Sequence, residues 1–418
     1  MKLIDLIHMN RISQRLSELG EIGKTADQGV YRLALTKEDW HAQELVAQWM
    51  REAGMMVKRD HFGNLIGRRE GTDPNLPVIM LGSHIDTVPN GGKYDGTTGV
   101  IGAIEVVQAI HDAELEFSYP IEVVAFCDEE GPRFSGGFFG SKGMIGKITA
   151  ADLQQRDETG ITRYEAIQAF GLDPESMAAS VRQRGDIKLY LEMHIEQGPS
   201  LQSIDRPVGI VTGIAGLTWL SVRVMGEAGH AGTVPMHLRR DPLVGSAEII
   251  QVIERICGAN PSHPTVGTVG RIKANPGGNN VIPASVEFSV DIRDIDPERR
   301  NQVVSNVKEN MYEVAKKRNL EIQIEELIGI PPINCSNHVI EAMEKANIKL
   351  QLSAPRMVSG AGHDAMVLGE ITDFGMIFVR CKDGISHNPK EWADPVDIRK
   401  GVQLLLETVL YFGMPTHT

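Results

Sequence analysis

A short apolar segment at residues 78–81 continues directly into a polar, glycine-rich stretch. The apolar segment has the length of a buried strand, and the polar stretch contains His84, Asp86 and Asp95. Several glycines around Asp95 supply the sharp turns that such a connection needs. Ligands of α/β folds bind outside the carboxyl ends of strands, so these side chains are candidates for a metal site. Taken alone, the stretch also fits a surface loop rich in turn-forming residues.

The alternation of strand-like and helical segments predicts the fold class. Helical periodicity occurs at 9–19, 37–53 and 100–113, and strands are expected at 56–59, 65–69, 78–81, 121–127 and 187–193. From about residue 332 similar elements return, with helices at 338–346 and 397–412 and an apolar strand at 375–380. This alternation predicts an α/β domain with a central, mostly parallel mixed sheet flanked by helices.

The segment between residues 213 and 329 has a different order of elements. Strands at 219–225, 265–273, 284–293 and 321–326 and helices at 242–258 and 299–318 follow each other as β-α-β-β-α-β. This is the order of a ferredoxin-like α+β unit. We therefore expect a discontinuous domain of residues 1–212 and 330–418, interrupted by a smaller domain of residues 213–329.

Composition and charge disfavour several functional classes. The chain has 418 residues, of which 42% are apolar and 23% charged, as in ordinary globular proteins. A formal net charge of −13 disfavours nucleic acid or an anionic membrane as the main partner. The sequence contains neither a membrane-spanning apolar stretch nor a secretory leader pattern, so a cytoplasmic location is expected. The four cysteines form no CxxC pair, which disfavours a thiolate zinc site.

Three further predicted strands are also followed by imidazole or carboxylate side chains. These residues are Glu129 with Glu130, His194 with Glu196, and His387. A single histidine after a strand is usually structural, but recurrence at four strand ends favours one shared site. Imidazole and carboxylate ligands without thiolate suit zinc, manganese, cobalt or nickel. A carboxylate shared by two metals roughly 3.5–4 Å apart is common in hydrolases.

The adjacent pair Glu129 and Glu130 suggests a division of roles. Neighbouring side chains at the end of a strand point in different directions, so one can bind a metal while the other faces the reacting water. A general base must reach that water without being a metal ligand itself. The pair alone could also be two solvated acids in a loop.

Six motifs together resemble the M20 metallopeptidase superfamily. They are GSHID at 82–86, YDG at 94–96, DEEG at 128–131, EMHIEQG at 192–198, GHAG at 229–232 and ISHNP at 385–389. More closely, they resemble its carbamoylase branch of N-carbamoyl-L-amino-acid hydrolases, β-ureidopropionases and allantoate amidohydrolases. The resemblance implies a two-metal catalytic domain and a smaller lid and dimerisation domain.

The same resemblance implies a ligand set for two divalent ions. His84, Asp95 and His194 would hold one ion, and Asp95, Glu130 and His387 would hold the other, with Asp95 as the bridge. In the same way, it implies that Asp86 orients His84 and that Glu129 is the general base.

The resemblance also implies substrate contacts. His230 would polarise the scissile carbonyl from across the interface of a homodimer formed through the lid. Asn280 and Arg293 would clamp a carboxylate, for which a guanidinium is well suited. Read alone, Arg293 is more typical of a salt-bridged surface residue. Gln197 and the backbone around Gly362 would complete the contacts.

The implied reaction is hydrolysis of a ureido C–N bond. The segment AGLTW at 215–219 favours N-carbamoyl-L-amino acids, because allantoate amidohydrolases usually carry QRRY after the corresponding glycine. By contrast, SGAGHD at 359–364 and ISHNP at 385–389 are closely similar to the allantoate enzymes. The open alternatives are allantoate, β-ureidopropionate, unmodified dipeptides, and a non-catalytic binding protein on the same scaffold.

Overall fold

The computed structural model describes residues 3–413 and separates the chain into two compact units. Unit 1 consists of Met1–Thr212 together with Cys335–Thr418, and unit 2 is the segment Gly213–Asn334. The domain prediction placed the corresponding changes after residues 212 and 329. Unit 2 extends further because Ile333 and Asn334 pair with Ile214 and Gly213, which belong to the same unit.

The N-terminal part of unit 1 alternates helices and strands. Its elements are α1 (Met9–Gly20), α2 (Lys37–Glu52), β1 (Met56–Arg59), β2 (Leu65–Arg69), β3 (Val78–His84), α3 (Thr97–Asp112), β4 (Ile121–Phe126), α4 (Phe139–Met144), α5 (Ala150–Gln154), α6 (Arg163–Ala169), β5 (Ile187–Ile195), α7 (Ser200–Ser203) and β6 (Val208–Ile214). Two 3₁₀ helices, Leu3–Leu6 and Pro174–Ser180, also belong to this part.

Unit 2 and the return to unit 1 follow in chain order. Unit 2 contains β7 (Gly216–Met225), β8 (Gly229–His230), α8 (Pro242–Cys257), β9 (Val266–Thr268), β10 (Ile272–Asn275), β11 (Val281–Ile282), β12 (Ser285–Asp294), α9 (Pro297–Lys317), β13 (Glu321–Ile330) and β14 (Ile333–Asn334). Unit 1 resumes with α10 (Asn337–Leu350), β15 (Arg356–Ser359), α11 (Asp364–Leu368), β16 (Asp373–Val379) and α12 (Pro395–Gly413).

The main sheet of unit 1 has the strand order β1-β2-β4-β3-β5-β16-β6, and β15 also pairs with β6. Its four central strands, β4, β3, β5 and β16, pair in parallel, and the strands toward both edges pair antiparallel. The central strands are almost wholly buried, and α3 and α12 pack against them. The predicted α/β fold with a mixed, helix-flanked sheet is confirmed, and its parallel pairs are confined to the centre.

The register of the central strands brings their carboxyl ends to one edge of the sheet. His84 lies opposite Phe126 in the β3–β4 ladder, and His194 lies opposite Phe378 in the β5–β16 ladder. Both histidines are therefore strand residues, although the sequence predicts them in the following loops. Each is held by strand hydrogen bonds, which fixes its backbone more tightly than a loop would.

Unit 2 is built on a second, antiparallel sheet. Its strand order is β10-β12-β7-β13, and β9 also pairs with β12. β9 and β10 pair with successive parts of β12, so together they replace the one strand predicted at 265–273. Alternate residues of β7 and β12 are buried beneath α8 and α9, where they form one apolar core. The order matches the predicted ferredoxin-like arrangement.

Within residues 3–413, no helix has both the length and the apolar character that crossing a lipid bilayer requires.

Candidate functional site

The structure brings the five predicted metal ligands together in unit 1. Their ligand atoms form two groups, in each of which the atoms lie within 4.8 Å of one another. One group contains His84, Asp95 and His194, and the other contains Asp95, Glu130 and His387. Asp95 is the member that the two groups share.

The two carboxylate oxygens of Asp95 face different imidazoles. Oδ1 lies 3.1 Å from Nε2 of His194 and 3.6 Å from Nε2 of His84, whereas Oδ2 lies 3.2 Å from Nε2 of His387. Burial opposes ionisation of this carboxyl, but the surrounding imidazoles hold the pKa of Asp95 well below its usual range. Asp95 is thus an anion with one oxygen directed to each ligand group.

The turn at Gly96 permits this close approach. Gly96 has a φ of 62°, and a Cβ at this position would overlap the ring of His84. Its N–H donates to Nε2 of His194 at 3.2 Å. Only glycine satisfies both the backbone conformation and the lack of space, which explains the YDG sequence at the start of α3.

Main-chain carbonyls orient the two strand histidines. Nδ1 of His84 lies 3.0 Å from the carbonyl oxygen of Asp86, and Nδ1 of His194 lies 2.9 Å from that of Ile195. Each Nδ1–H donates to its carbonyl, so the lone pair of each ring is on Nε2. Both Nε2 atoms point toward Asp95, as metal-binding imidazoles would require.

The side chains of the two ligand groups fit divalent cations. Oε1 of Glu130 is buried without a hydrogen-bond partner and lies 3.5 Å from Nε2 of His387. Burial and the negative charge of Asp95 raise the pKa of Glu130 to about 7. Crowded carboxylates with an unpaired oxygen need a cation to offset their repulsion, and the imidazole and carboxylate donors suit zinc, manganese, cobalt or nickel.

A third cluster has the composition of a metal site but not its free ligand atoms. Glu192, His194 and His363 also lie within the same distance limit. However, Glu192 accepts a hydrogen bond from Ser83 at 2.7 Å, and Nε2 of His363 is 2.9 Å from the hydroxyl of Ser359. The His363 ring packs edge-on against the ring of His194. This cluster therefore helps to hold His194 in position as a metal ligand.

Asp86 holds the backbone of the two glutamates. Its Oδ1 accepts from the N–H of Glu129 and its Oδ2 from the N–H of Glu130, each at 3.2 Å. The sequence assigns the orientation of His84 to this carboxylate, but Oδ1 is 3.7 Å from Nδ1, and the carbonyl of Asp86 makes the closer contact. The carboxylate therefore chiefly positions Glu129 and Glu130.

Glu129 lies beside the two ligand groups, and its carboxylate is within the same 4.8 Å limit of ligand atoms of His84 and Glu130. Its Oε2 is 3.6 Å from Nε2 of His84, and only 9% of the residue is exposed. Burial raises the pKa of Glu129 well above its usual range. A carboxylate in this position can exchange a proton with a water molecule held beside the ligand groups, which is what a general base requires.

Sequence reasoning missed Arg163, which supports the glutamate loop from α6. Its Nη2 donates to Oδ2 of Asp128 at 3.0 Å. The guanidinium is stacked between the rings of Phe134 and Phe139, 4.9 and 4.4 Å from their centroids. No local pattern marks Arg163, because its partners come from other segments of unit 1.

Two predicted substrate-binding positions of unit 1 lie in tight loops. Gln197 has a φ of 56°, and its Nε2 donates to Oδ2 of Asp95 at 2.8 Å. Oε1 of Gln197 is buried without a partner. At Gly362 a Cβ would lie 2.8 Å from the ring of Phe138, so the loop before α11 requires glycine there.

Two predicted substrate-binding residues of unit 2 are neighbours. His230 pairs with Val281 in the β8–β11 ladder, and the N–H of Ala231 donates to the carbonyl of Asn280 at 2.9 Å. Nδ1 of His230 accepts a hydrogen bond from the N–H of Gly232 at 3.1 Å, which leaves its proton on Nε2. The exposed ring thus presents an N–H donor, the group that polarises a carbonyl.

Arg293 lies far from this pair within one chain. It is near one end of the β7–β12 ladder, opposite Leu217, whereas β8 and β11 follow the other end, where Met225 pairs with Ser285. At the usual strand rise, Ser285 and Arg293 are about 26 Å apart. Arg293 pairs with Asp291, with 2.7 Å between Nη2 and Oδ2. The predicted clamp of Arg293 with Asn280 is not assembled within unit 2 of one chain.

Comparison with known proteins identifies the family. Residues 80–411 match the model of peptidase family M20/M25/M40. The chain belongs to this family. An N-carbamoyl-L-amino-acid amidohydrolase of Pseudomonas sp. (strain NS671) is 55% identical over 97% of this chain and 98% of its own. An allantoate deiminase of Arabidopsis thaliana is 36% identical over 94% of this chain and 80% of its own.

Solved structures agree with this family. A crystal structure of an amidase of the hydantoinase/carbamoylase family from Burkholderia multivorans matches with a TM-score of 0.91 and 34% identity, covering 97% of each chain. These likenesses confirm the recognition of the M20 superfamily and its carbamoylase branch. The chain is a hydrolase of the M20 type.

Proposed function

We propose that this protein hydrolyses N-carbamoyl-L-amino acids to the L-amino acid, carbon dioxide and ammonia. The carrying observation is the shared position of Asp95 between two ligand groups, with Glu129 beside them. A metal-dependent hydrolase needs ligands that would hold a metal and a base that is free to take a proton from water, and these residues would supply both.

Two divalent ions would be held by the five ligands of the two groups, with Asp95 as their common ligand. When bound, such ions lower the pKa of a water molecule toward neutrality. Zinc, manganese, cobalt and nickel all suit these nitrogen and oxygen donors.

Glu129 performs the proton transfers in this proposal. It accepts the proton of the attacking water and returns it to the leaving nitrogen, which departs as the ureido C–N bond breaks. The carbamic acid that remains on the carbonyl side then loses carbon dioxide, which completes the release of the amino acid and ammonia. Its raised pKa, caused by burial, suits it to hold the proton between these steps. Asp86 and Arg163 keep the Glu129 segment in place through the backbone N–H groups and through Asp128.

Two of the proposed substrate contacts, His230 and Arg293, come from unit 2. His230 donates from Nε2 to the carbamoyl oxygen, and Arg293 binds the α-carboxylate in place of Asp291. One small substrate must reach both side chains, yet within one chain they lie toward opposite ends of the β7–β12 ladder. This separation supports a homodimer in which one active site takes His230 from one chain and Arg293 from the other.

Identity to relatives favours carbamoyl amino acids over allantoate. The N-carbamoyl-L-amino-acid amidohydrolase is 55% identical to this chain, compared with 36% for the allantoate deiminase. Because the motifs SGAGHD and ISHNP are closely similar to those of the allantoate enzymes, allantoate is the second candidate substrate. A cytoplasmic location remains an expectation from the sequence.

An ammonia assay with purified, manganese-loaded protein tests the proposal. N-carbamoyl-L-methionine should release ammonia, whereas its D-enantiomer, allantoate and an unmodified dipeptide should give little turnover. The Glu129→Gln protein, loaded in the same way, is the control for contaminating hydrolases. Ammonia release from allantoate alone would contradict the proposed substrate. Cleavage of the dipeptide alone would contradict the proposed hydrolysis of a ureido bond.

A further inference from the structure

Asp95 and His387 come from two irregular loops that are distant in the chain. Asp95 lies between β3 and α3, and His387 lies between β16 and α12. His387 has a φ of 53°, and about half of its side chain is exposed. Neither a strand nor a helix fixes the distance between these residues, so side-chain contacts between the loops must do so.

Glu391 supplies such contacts from the loop of His387. It is only 4% exposed, and its Oε1 accepts hydrogen bonds from the N–H groups of Tyr94 at 2.8 Å and Asp95 at 3.0 Å. A Cβ at Gly92 would overlap this carboxylate, so glycine makes room for it. One carboxylate oxygen therefore holds the backbone of the bridging residue itself.

The other oxygen of Glu391 reaches Asp95 through a hydroxyl. Oγ of Ser386 lies 3.0 Å from Oε2 of Glu391 and 2.8 Å from Oδ2 of Asp95. Ser386 is the neighbour of His387 in the chain, so the same network sets the position of both ligands. The ring of Trp392 also packs edge-on against Tyr94, with centroids 5.5 Å apart.

We propose that Glu391 is a positioning residue that sets the distance between Asp95 and His387, and so completes the ligand group of Asp95, Glu130 and His387. The inference rests on the proposed two-metal centre. Glu391 itself is not a ligand in this scheme, because both of its oxygens are engaged with Tyr94, Asp95 and Ser386.

Two substitutions distinguish a positioning role of Glu391 from a role that depends only on its negative charge. Glu391→Ala removes the acceptor of two buried N–H groups and the partner of Ser386. Glu391→Gln keeps the acceptor for both N–H groups, and its amide N–H can donate to Ser386, whose hydroxyl then donates to Asp95. The glutamine variant should therefore retain the loop geometry, and the alanine variant should lose it.

Metal binding measured at equilibrium tests the inference. Proteins are dialysed against graded free manganese, and metal per chain is read by inductively coupled plasma mass spectrometry. For Glu391→Ala we expect one of the two sites to lose about 10–100-fold in affinity while the other loses less. Glu391→Gln should stay close to wild type, and Ser386→Ala should weaken the same site.

Glu105→Ala is the matched control. Glu105 in α3 is also a fully buried carboxylate that accepts a backbone N–H, that of His8, and it pairs with Arg11 of α1. Its loss should lower the unfolding midpoint without changing metal stoichiometry. If Glu391→Ala does not fold, the comparison of Ser386→Ala with wild type decides the question.

The possible results distinguish this inference from the proposed function. Wild-type protein that binds fewer than two ions would contradict the two-metal centre itself. Wild-type binding of two ions together with unchanged affinity in Glu391→Ala and Ser386→Ala would overturn only the role of Glu391. Equal loss at both sites in Glu391→Ala and Glu105→Ala would also overturn it, since that result indicates general destabilisation.

Discussion

Most candidate metal ligands of unit 1 are buried, with half-exposed His387 as the exception, whereas two candidate substrate-binding residues of unit 2 are exposed. His84, Asp95 and His194 are at most 5% exposed, and each makes close contacts with other site groups. His230 and Asn280 are exposed and are held mainly through their backbones. The ligand groups of unit 1 are thus assembled within one chain, whereas the predicted substrate contacts His230 and Arg293 of unit 2 lie far apart within one chain.

This difference suggests a division of labour. Buried carboxylates and imidazoles are costly to hold in place unless each is paired, and a rigid arrangement of them favours one metal geometry. Exposed polar groups carry little desolvation cost, and they are accessible to a substrate or a second chain. Unit 1 would therefore provide the chemistry, and unit 2 would provide recognition.

The largest effect is expected for the base in unit 1. Glu129→Gln removes the proton acceptor but keeps the shape of the side chain, so kcat should fall by about 10²–10⁴-fold. Metal content should remain at the wild-type value, because the amide replaces no ligand. The assay is ammonia release at saturating substrate, with metal determined on the same sample. Retained turnover would exclude Glu129 as the base.

Mixed dimers test whether His230 of one chain acts in the active site of the other chain. His230→Ala should lower kcat by about 10²–10³-fold, as for loss of an oxyanion-stabilising donor. A dimer of one His230→Ala chain and one Glu129→Gln chain, isolated with two affinity tags, should regain about half of the wild-type activity, since one of its two equivalent sites is whole.

The same experiment can contradict the composite site. If His230 serves the site of its own chain, both sites of the mixed dimer are defective, and its activity should not exceed that of the two parent variants. A monomeric wild-type protein in light scattering, with full activity, would exclude the composite site directly.

A smaller effect is expected at Arg293. Arg293→Ala removes a charge-assisted hydrogen bond to the substrate carboxylate, which should lower kcat/KM by about 10–100-fold. Arg293→Lys keeps the charge but not the paired geometry, so it should recover only part of the loss. Equal losses on a carbamoyl substrate without a carboxylate would show that Arg293 acts through structure instead.

The smallest effect concerns a buried acid of unit 1 outside the ligand groups. Burial raises the pKa of Asp39 to about 7, so the native state binds its proton at a higher pH than the unfolded state does. The native state therefore holds more protons between about pH 4 and pH 7, and this group loses its stabilising contribution as the pH rises through that window.

Asp39→Asn should remove this pH dependence. The free energy of unfolding of the variant, relative to wild type, should rise by a few kcal/mol from pH 4 to pH 7, as measured by urea denaturation. A constant offset is expected from the altered contacts to Leu35 and Gln43, so the slope is the informative quantity. A flat difference across this window would contradict the raised pKa.

Much of the fold and of the ligand set could be predicted from local patterns. Apolar segments followed by acidic or imidazole residues predicted four strand ends, and the register of β3 with β4 brings two of them together. The pattern did not predict that β3 and β5 continue through His84 and His194, because polar residues normally end an apolar strand signal. β6, at Val208–Ile214, was not predicted either; it contains glycines, and Gly209 packs closely against Met357.

The supporting residues could not be found in the same way. Glu391 bonds to Tyr94 across a separation of 297 residues, and Arg163 reaches Asp128 from a helix with no recognisable motif. Such contacts depend on how distant loops meet in space. The separation of Arg293 from His230 likewise became apparent only from the continuous β7–β12 ladder.

Metal stoichiometry of an Asp95 variant tests the central claim most directly. Wild type, Asp95→Ala and His387→Ala are dialysed against the same free manganese, and metal per chain is determined with folding monitored by circular dichroism. If one carboxylate serves both ions, wild type binds two, His387→Ala retains one and Asp95→Ala retains neither. Folded Asp95→Ala protein that still binds one or two ions with wild-type affinity would contradict the account.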